Sequence, residues 1–201
     1  MQDERLSAGI AEMDLAVSAE TQQKLQAYLA LLEKWNKVYN LTAVRDPLEM
    51  VTLHLLDSLS VLPYVQSKNL LDVGSGGGLP GIVLAICVPE LQVTTIDAVQ
   101  KKTIFMRQAK GALGLSNLEV VHARVEDFQP KEKFEIIISR AFSEIGLFVK
   151  LTRHLLAENG RWFAMKGMIP HQELAGFESK VVPLKVAGLD AERHLISIEK
   201  F

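Results

Sequence analysis

Apolar residues recur at three- and four-residue steps through Leu25, Tyr28, Leu29, Leu32 and Trp35, predicting an amphipathic helix from Ser18 to about Tyr39. Ser18 is its expected N-cap. A second helix is predicted from Pro47 to Leu62, with Asp46 as cap, Pro47 in the first turn and Pro63 as its stop. At Asn69 the pattern changes. Leu70–Val73 is a short apolar run leading into Gly74-Ser75-Gly76-Gly77-Gly78, and a helix is expected from Leu79-Pro80 to Cys87-Val88. Strand Gln92–Asp97, helix Val99–Leu113, strands Leu118–His122 and Phe134–Ser139, helix Glu144–Leu156 and strand Arg161–Lys166 follow. After Pro170 the reading gives a short helix and two strands, Val181–Val186 and His194–Ile198, as an antiparallel tail. Strands alternating with helices imply right-handed crossovers and a mainly parallel sheet with helices on both faces. The expected architecture is a Rossmann-like α/β fold in one domain, 1–201, whose helical extension 1–68 packs on the core 69–201.

Composition changes little in that picture. Of 201 residues, 48% are hydrophobic and 23% charged, which suits a globular chain with a sizeable core. No apolar run reaches the roughly 20 residues that span a bilayer, and no secretory pattern opens the chain, so a cytoplasmic protein without a membrane partner is expected. The single cysteine, Cys87, cannot close an internal disulfide. A net charge of −2 gives no global support to a nucleic-acid partner, although one basic face would suffice.

The glycine loop changes the picture most. Glycines between a strand and a helix permit positive φ and let a ligand approach the backbone, and the helix start offers amide donors and a positive dipole end. Gly76-Gly77-Gly78-Leu79-Pro80-Gly81 also satisfies G-x-G-x-x-G, the dinucleotide fingerprint, so a nicotinamide cofactor is open on this pattern. Asp72, two residues before the first glycine, and the helical segment ahead of the loop favour S-adenosylmethionine. Asp97 ends the second strand, where an acid grips ribose hydroxyls in either case. Gly74, Gly76, Gly78 and Leu79 complete the expected cofactor contacts. No His/Cys cluster has metal-ligand spacing, and no metal is expected.

The string from Leu71 to Gly81 resembles the RsmG (GidB) family. So do Trp35-Asn36-Lys37-Val38-Tyr39-Asn40-Leu41-Thr42, His54-Leu55-Leu56-Asp57-Ser58, Ser139-Arg140-Ala141-Phe142, Lys166-Gly167 and Glu192-Arg193-His194-Leu195. These blocks run in order over nearly the whole chain. One departure is Ser75-Gly76-Gly77, where many relatives read Thr-Gly-Pro. The resemblance implies methylation of N7 of a guanine (guanine 527 in the family convention) in 16S ribosomal RNA of the small subunit or its precursor. It also implies cofactor contacts at Gly74, Leu79, Val125, Glu126 and Arg140.

That chemistry agrees with the side chains present. A cytosine C5 acceptor needs a cysteine nucleophile, and Cys87 sits among Ile82, Val83, Leu84 and Ile86 as a core residue. Guanine N7 carries a free in-plane lone pair, so positioning suffices and no general base is required. Arg140 is expected to bridge cofactor and substrate as a catalytic residue, with Arg124 holding RNA beside it. Lys101, Lys102, Arg107 and Lys110 do not share one helix face; a solvated surface and phosphate contact both stand, with Lys101 the candidate. Lys166, on the rim of the sheet, is a further RNA candidate. His54, Asp57 and Ser58 form an i, i+3, i+4 polar stripe open to a solvated or capping role, and the resemblance adds RNA contact for His54. Trp35 belongs to the core, whereas Asn36 and Asn40, at i and i+4, are read as exposed and RNA-facing. His194 is read as packed. Alternatives are methylation of a small molecule, a dinucleotide-dependent oxidoreductase, and a cofactor-binding regulator without turnover. A monomer is expected.

Overall fold

The computed structural model describes every residue except Ala141, Ser143, Lys200 and Phe201. Helices α1 (Gln2–Glu12) and α2 (Ala19–Tyr39) come first. They are followed by α3 (Pro47–Met50), a π-helix (Val51–Leu56) and α4 (Asp57–Leu59), which run on without a break. Strand β1 (Asn69–Val73), α5 (Gly81–Cys87), β2 (Gln92–Asp97), α6 (Gln100–Leu113), β3 (Leu118–His122) and β4 (Phe134–Ser139) build the first half of the sheet. Helix α7 (Ile145–Thr152), β5 (Leu156–Lys166), β6 (Ser179–Pro183) and β7 (His194–Glu199) complete it.

Among the described residues, seven strands form one sheet in the order β3-β2-β1-β4-β5-β7-β6. The first five are parallel neighbours; β7 runs antiparallel to both β5 and β6. The order reverses between β1 and β4, so their carboxyl ends open the crevice in which ligands of such sheets lie. Each strand divides its apolar residues by period two. Leu70, Ile136, Ile138, Phe163 and Met165 face the cluster that holds Leu25, Leu32, Leu55, Ile82 and Phe105. Leu71, Ile137, Trp162 and Ala164 face the cluster with Phe148 and Val149 of α7. Trp162 is fully buried there, and its indole N–H donates to Thr152 Oγ1 at 2.8 Å.

Several boundaries differ from expectation. Helix α1 went unassigned in the sequence; it buries Leu6, Gly9 and Ile10. The expected helix after Pro170 is replaced by turns over residues 171–176, because Pro170 and Gly176 leave too few residues between them to recover the cost of helix nucleation. The strand expected at Val181–Val186 is Ser179–Pro183; Leu184, whose N still donates to Arg193 O at 2.7 Å, and Val186 turn into the core. Strand β5 starts at Leu156, across a register shift opposite Phe134 and Ile136. No helix among the described residues is long and apolar enough to cross a membrane.

Candidate functional site

Strand β1 ends in a loop whose Gly74, Gly76 and Gly78 have φ of 68°, 59° and 90°, a region where a side chain is strained. The loop is tied inward by its own amides. Gly74 N donates to Ile96 O at 2.9 Å, Gly76 N to Asp97 Oδ2 at 2.9 Å, and Gly78 N and Leu79 N to Ser75 O. Asp72 lies beneath, fully buried, and accepts from Gly81 N at 2.8 Å, while its Oδ1 has no partner among the described residues. Two expectations are corrected here. Asp72 caps the start of α5 from below and presents no surface to a ligand. The amide donors expected at that helix start are in large part already engaged. Burial raises the Asp72 carboxyl from its usual 3.8 to about 7, against the opposing pull of the Gly81 hydrogen bond and of Arg140. Tyr28, fully buried on α2, donates its hydroxyl to Gly77 O at 2.7 Å, so the N-terminal helix fixes the loop.

On the β2 side of the loop lies a cavity of about 320 Å³ lined by Gly74, Ile96, Asp97, Ala98, Val125 and Phe142, among others. Its walls are mostly apolar. Asp97 stands at its edge, accepting from Gly76 N and, through Oδ1, from Val99 N at 2.8 Å. Lys102 Nζ is 3.8 Å from Asp97 Oδ2. Val125 is buried, whereas Glu126 and Arg124 are exposed at the mouth, 4.0 Å apart.

On the other side the loop borders a cavity of about 590 Å³ shared with Thr42, His54, Lys102 and Arg140. Arg140 and His54 also line a third chamber of about 370 Å³, with Asp57, Lys166 and Arg193. Asp57 is 3% exposed and holds both arginines: Arg140 Nη1 donates to Oδ2 and Arg193 Nε to Oδ1, each at 3.0 Å. Arg140 Nη1 also donates to Leu53 O at 2.9 Å. Lys166 Nζ donates to Phe142 O at 2.8 Å, and His194 Nδ1 lies 2.7 Å from Gly167 O.

The polar stripe of His54, Asp57 and Ser58 therefore faces inward, correcting the solvated reading. The reason is that the whole segment is covered: of residues 51–60 only Leu53 is not buried, so no face of it is left to solvent. His54 is 4% exposed and bonds Thr42 Oγ1 through Nε2 at 2.9 Å, so a direct RNA contact is not what its position offers. Burial, then the Arg140 charge, lowers its pKa from 6.5 to about 4 and keeps the ring neutral. Asn36 is corrected in the same way. It is 2% exposed, takes Thr42 N on Oδ1 and gives Nδ2 to Val44 O, shaping the segment that roofs the loop. Asn40 is exposed, caps α2 in the left-handed region and accepts from Arg45 Nη2 at 2.6 Å. Trp35 is half-buried and packs its ring against Tyr39 and Phe105.

Lys101 is exposed on α6, away from the loop; its neighbour Lys102, not singled out in the sequence, lines the loop cavity. Cys87 packs beside the core, and burial pushes its thiol up to about 12, far from a thiolate at neutral pH. Among the described residues no three His, Cys, Asp or Glu gather as a metal site. Arg193 and Tyr28 were also missed as site-forming residues. A lone carboxylate in a leucine-rich stripe was the available signal, since a buried Asp needs cationic partners. Ala141, within the Ser139–Phe142 block, lies outside the described residues.

The family model "rRNA small subunit methyltransferase G" (GidB) matches residues 21–196. A protein of that name from Methylobacillus flagellatus is 65% identical over 96% of both chains, and one from Laribacter hongkongensis is 54% identical over 97% of both. Among solved structures, a SAM-dependent methyltransferase from Aquifex aeolicus superposes with TM-score 0.58 at 20% identity, covering 83% of this chain and 96% of its own. TrmN from Thermus thermophilus gives 0.56 at 18% identity, covering 84% of this chain and 53% of its own. At such identities these structures speak for the fold: a Rossmann-like, mostly parallel sheet.

Proposed function

Since the chain belongs to the rRNA small subunit methyltransferase G family, we propose that it methylates N7 of a guanine in small-subunit ribosomal RNA, with S-adenosylmethionine as donor. We take the whole chain as one cytoplasmic methyltransferase domain in which residues 1–68 pack on the core. The observation that carries the reading is the shared wall: Arg140 and His54 border both the glycine-loop cavity and the basic chamber.

The residues fit the cofactor. An apolar slot between Ile96, Val125 and Phe142 suits an adenine, and Asp97 at its edge has lone pairs left for ribose hydroxyls. A Cβ added at Gly76 would meet nothing within 4 Å, so the loop leaves its approach open on that side. When bound, the cofactor supplies an electrophilic methyl group on a sulfonium. The protein's part is placement. Arg140, fixed by Asp57 and Leu53 O, has its position set before any ligand arrives, and a preset cation between two cavities orients both occupants. Because guanine N7 has no proton to lose, a neutral His54 and an inert Cys87 are no handicap. Arg124 and Lys166 stand on the rim for the RNA strand; Lys101 is the weaker candidate and Lys102 the better-placed cation.

The test is transfer of labelled methyl groups to unmethylated small subunits or their RNA, followed by borohydride reduction, aniline cleavage and reverse-transcription mapping. A stop at one guanine that depends on the protein is expected. Arg140→Ala should abolish it while the protein still melts cooperatively. No label in RNA with wild-type protein, but label in a metabolite pool, would overturn the reading.

A further inference from the structure

The slot and the loop account for a nucleoside cofactor without the third chamber, which opens on the far side of Arg140. Four separate elements meet in it: Asp57 from the start of α4, Arg140 after β4, Lys166 at the end of β5 and Arg193 just before β7. Three cations face one carboxylate there. The carboxylate is buried, and each of its oxygens is taken by a different guanidinium. Such a centre fixes where two arginines point without neutralising both. Arg140 and Arg193 side chains remain 27% and 26% exposed, and neither Nη2 has an acceptor among the described residues. Two held guanidinium forks beside a lysine, with an excess of positive charge and a way to solvent, match a tetrahedral polyoxygen anion better than a neutral base edge. An RNA strand carries one such anion per nucleotide.

We propose that this chamber seats one phosphodiester of the RNA substrate, contacted by Arg193 and Lys166 together with Arg140 and oriented by Asp57. The proposal rests on the ribosomal-RNA reading and deepens it. It gives the chain a fixed point on the RNA backbone next to the base to be methylated. The backbone contact sets register, and the loop cavity sets chemistry.

The experiment compares wild type, Arg193→Ala and Lys166→Gln in binding unmethylated small-subunit rRNA over roughly 50 to 200 mM salt. Binding of S-adenosylhomocysteine is measured alongside by calorimetry. Arg193→Ala leaves the Asp57–Arg140 pair in place, and Lys166→Gln removes the charge while keeping an amide N–H that can donate toward Phe142 O, so one variant serves if the other fails to fold. Each variant should bind RNA several-fold more weakly at low salt. Its plot of log affinity against log salt should be shallower by about 0.7 to 0.9, the share of one phosphate contact. Affinity for S-adenosylhomocysteine should stay at the wild-type value. Unchanged slopes in folded variants of a wild type that binds RNA would overturn this proposal alone. So would a loss of cofactor affinity at constant slope, which would assign the chamber to the cofactor carboxylate. A wild type that fails to bind the RNA at any salt would overturn the ribosomal-RNA reading itself.

Discussion

On the β1–β2 side of the crevice, Gly74, Ser75 and Gly76 are held mainly by backbone geometry: the main chain bonds Ile96 O on the neighbouring strand, and one side chain, Asp97, completes the turn. On the π-helix side, Asp57 is held by arginines 83 and 136 residues away in the chain. The first wall is backbone, set by what glycine permits. The second is a buried ionic cluster, set by what the tertiary fold brings together. Backbone walls tolerate loss of a side chain and fail when a Cβ is added; ionic walls do the reverse, because removing one partner leaves the others uncompensated. The two cavities thus share Arg140 but depend on opposite kinds of change.

The largest effect should come from emptying the ionic wall. Asp57→Ala leaves Arg140 and Arg193 facing each other without their shared anion. For a fully buried pair the cost would be about 3 to 5 kcal/mol. The partial exposure of both guanidinium groups lowers it to about 3 kcal/mol. Urea titration reads this directly. A cost under about 1 kcal/mol would mean that packing, and not the carboxylate, holds that wall.

The backbone wall should split by position. At Gly78 (φ +90°) a Cβ would overlap Ile82 Cδ1 and stand 2.6 Å from its Cγ1, so Gly78→Ala should cost about 2 kcal/mol in strain and displaced packing. At Gly76 (φ +59°) a Cβ meets nothing within 4 Å. Gly76→Ala should therefore cost only about 1 kcal/mol of stability. Its larger loss should appear in S-adenosylhomocysteine affinity, roughly tenfold by calorimetry, because the open space is where a ligand approaches the loop. Equal stability losses with unchanged affinity would show that the loop merely turns the chain.

The contrast between the walls also explains what the sequence disclosed. The span of β4, and β1 to within a residue, could be read because each is an apolar run bounded by a change of pattern, and the glycine loop because its requirement is local. Asp57 joined to Arg140 and Arg193 has no local signature: the residues sit in separate blocks, and only the pairing of β4, β5 and β7 brings them together. The stripe of His54 and Ser58 stayed open to a solvated or capping role because polar spacing does not show that this segment is buried on nearly all sides. Asn36 was misplaced for another reason. Its amide replaces missing backbone partners in the segment after α2, an interaction that spacing on a helix does not reveal. Within the turn at 171–176, Glu173 Oε2 accepts from Ile145 N and so supplies the start of α7, a contact between separate segments that spacing does not reveal.

Protonation separates the walls last, and in opposite directions. Asp72, under the loop, has its folded pKa raised from 3.8 to about 7 by burial. Between those values the folded chain binds more protons at this group than the unfolded chain, so its contribution to stability falls as pH rises from about 4 to about 7. His54, in the π-helix, has its folded pKa lowered from 6.5 to about 4. There the unfolded chain binds more protons, and stability is lost as pH falls through the same window. The two slopes oppose each other, so the wild type should show little net dependence from this pair. Asp72→Asn keeps an acceptor for Gly81 N and removes the first slope, leaving stability that rises with pH between about 4 and 6.5. His54→Gln should leave the reverse, a stability that declines toward pH 7. Urea midpoints at half-unit steps of pH would read both, and variants whose curves run parallel to the wild type would show that neither group carries its shift in the folded chain.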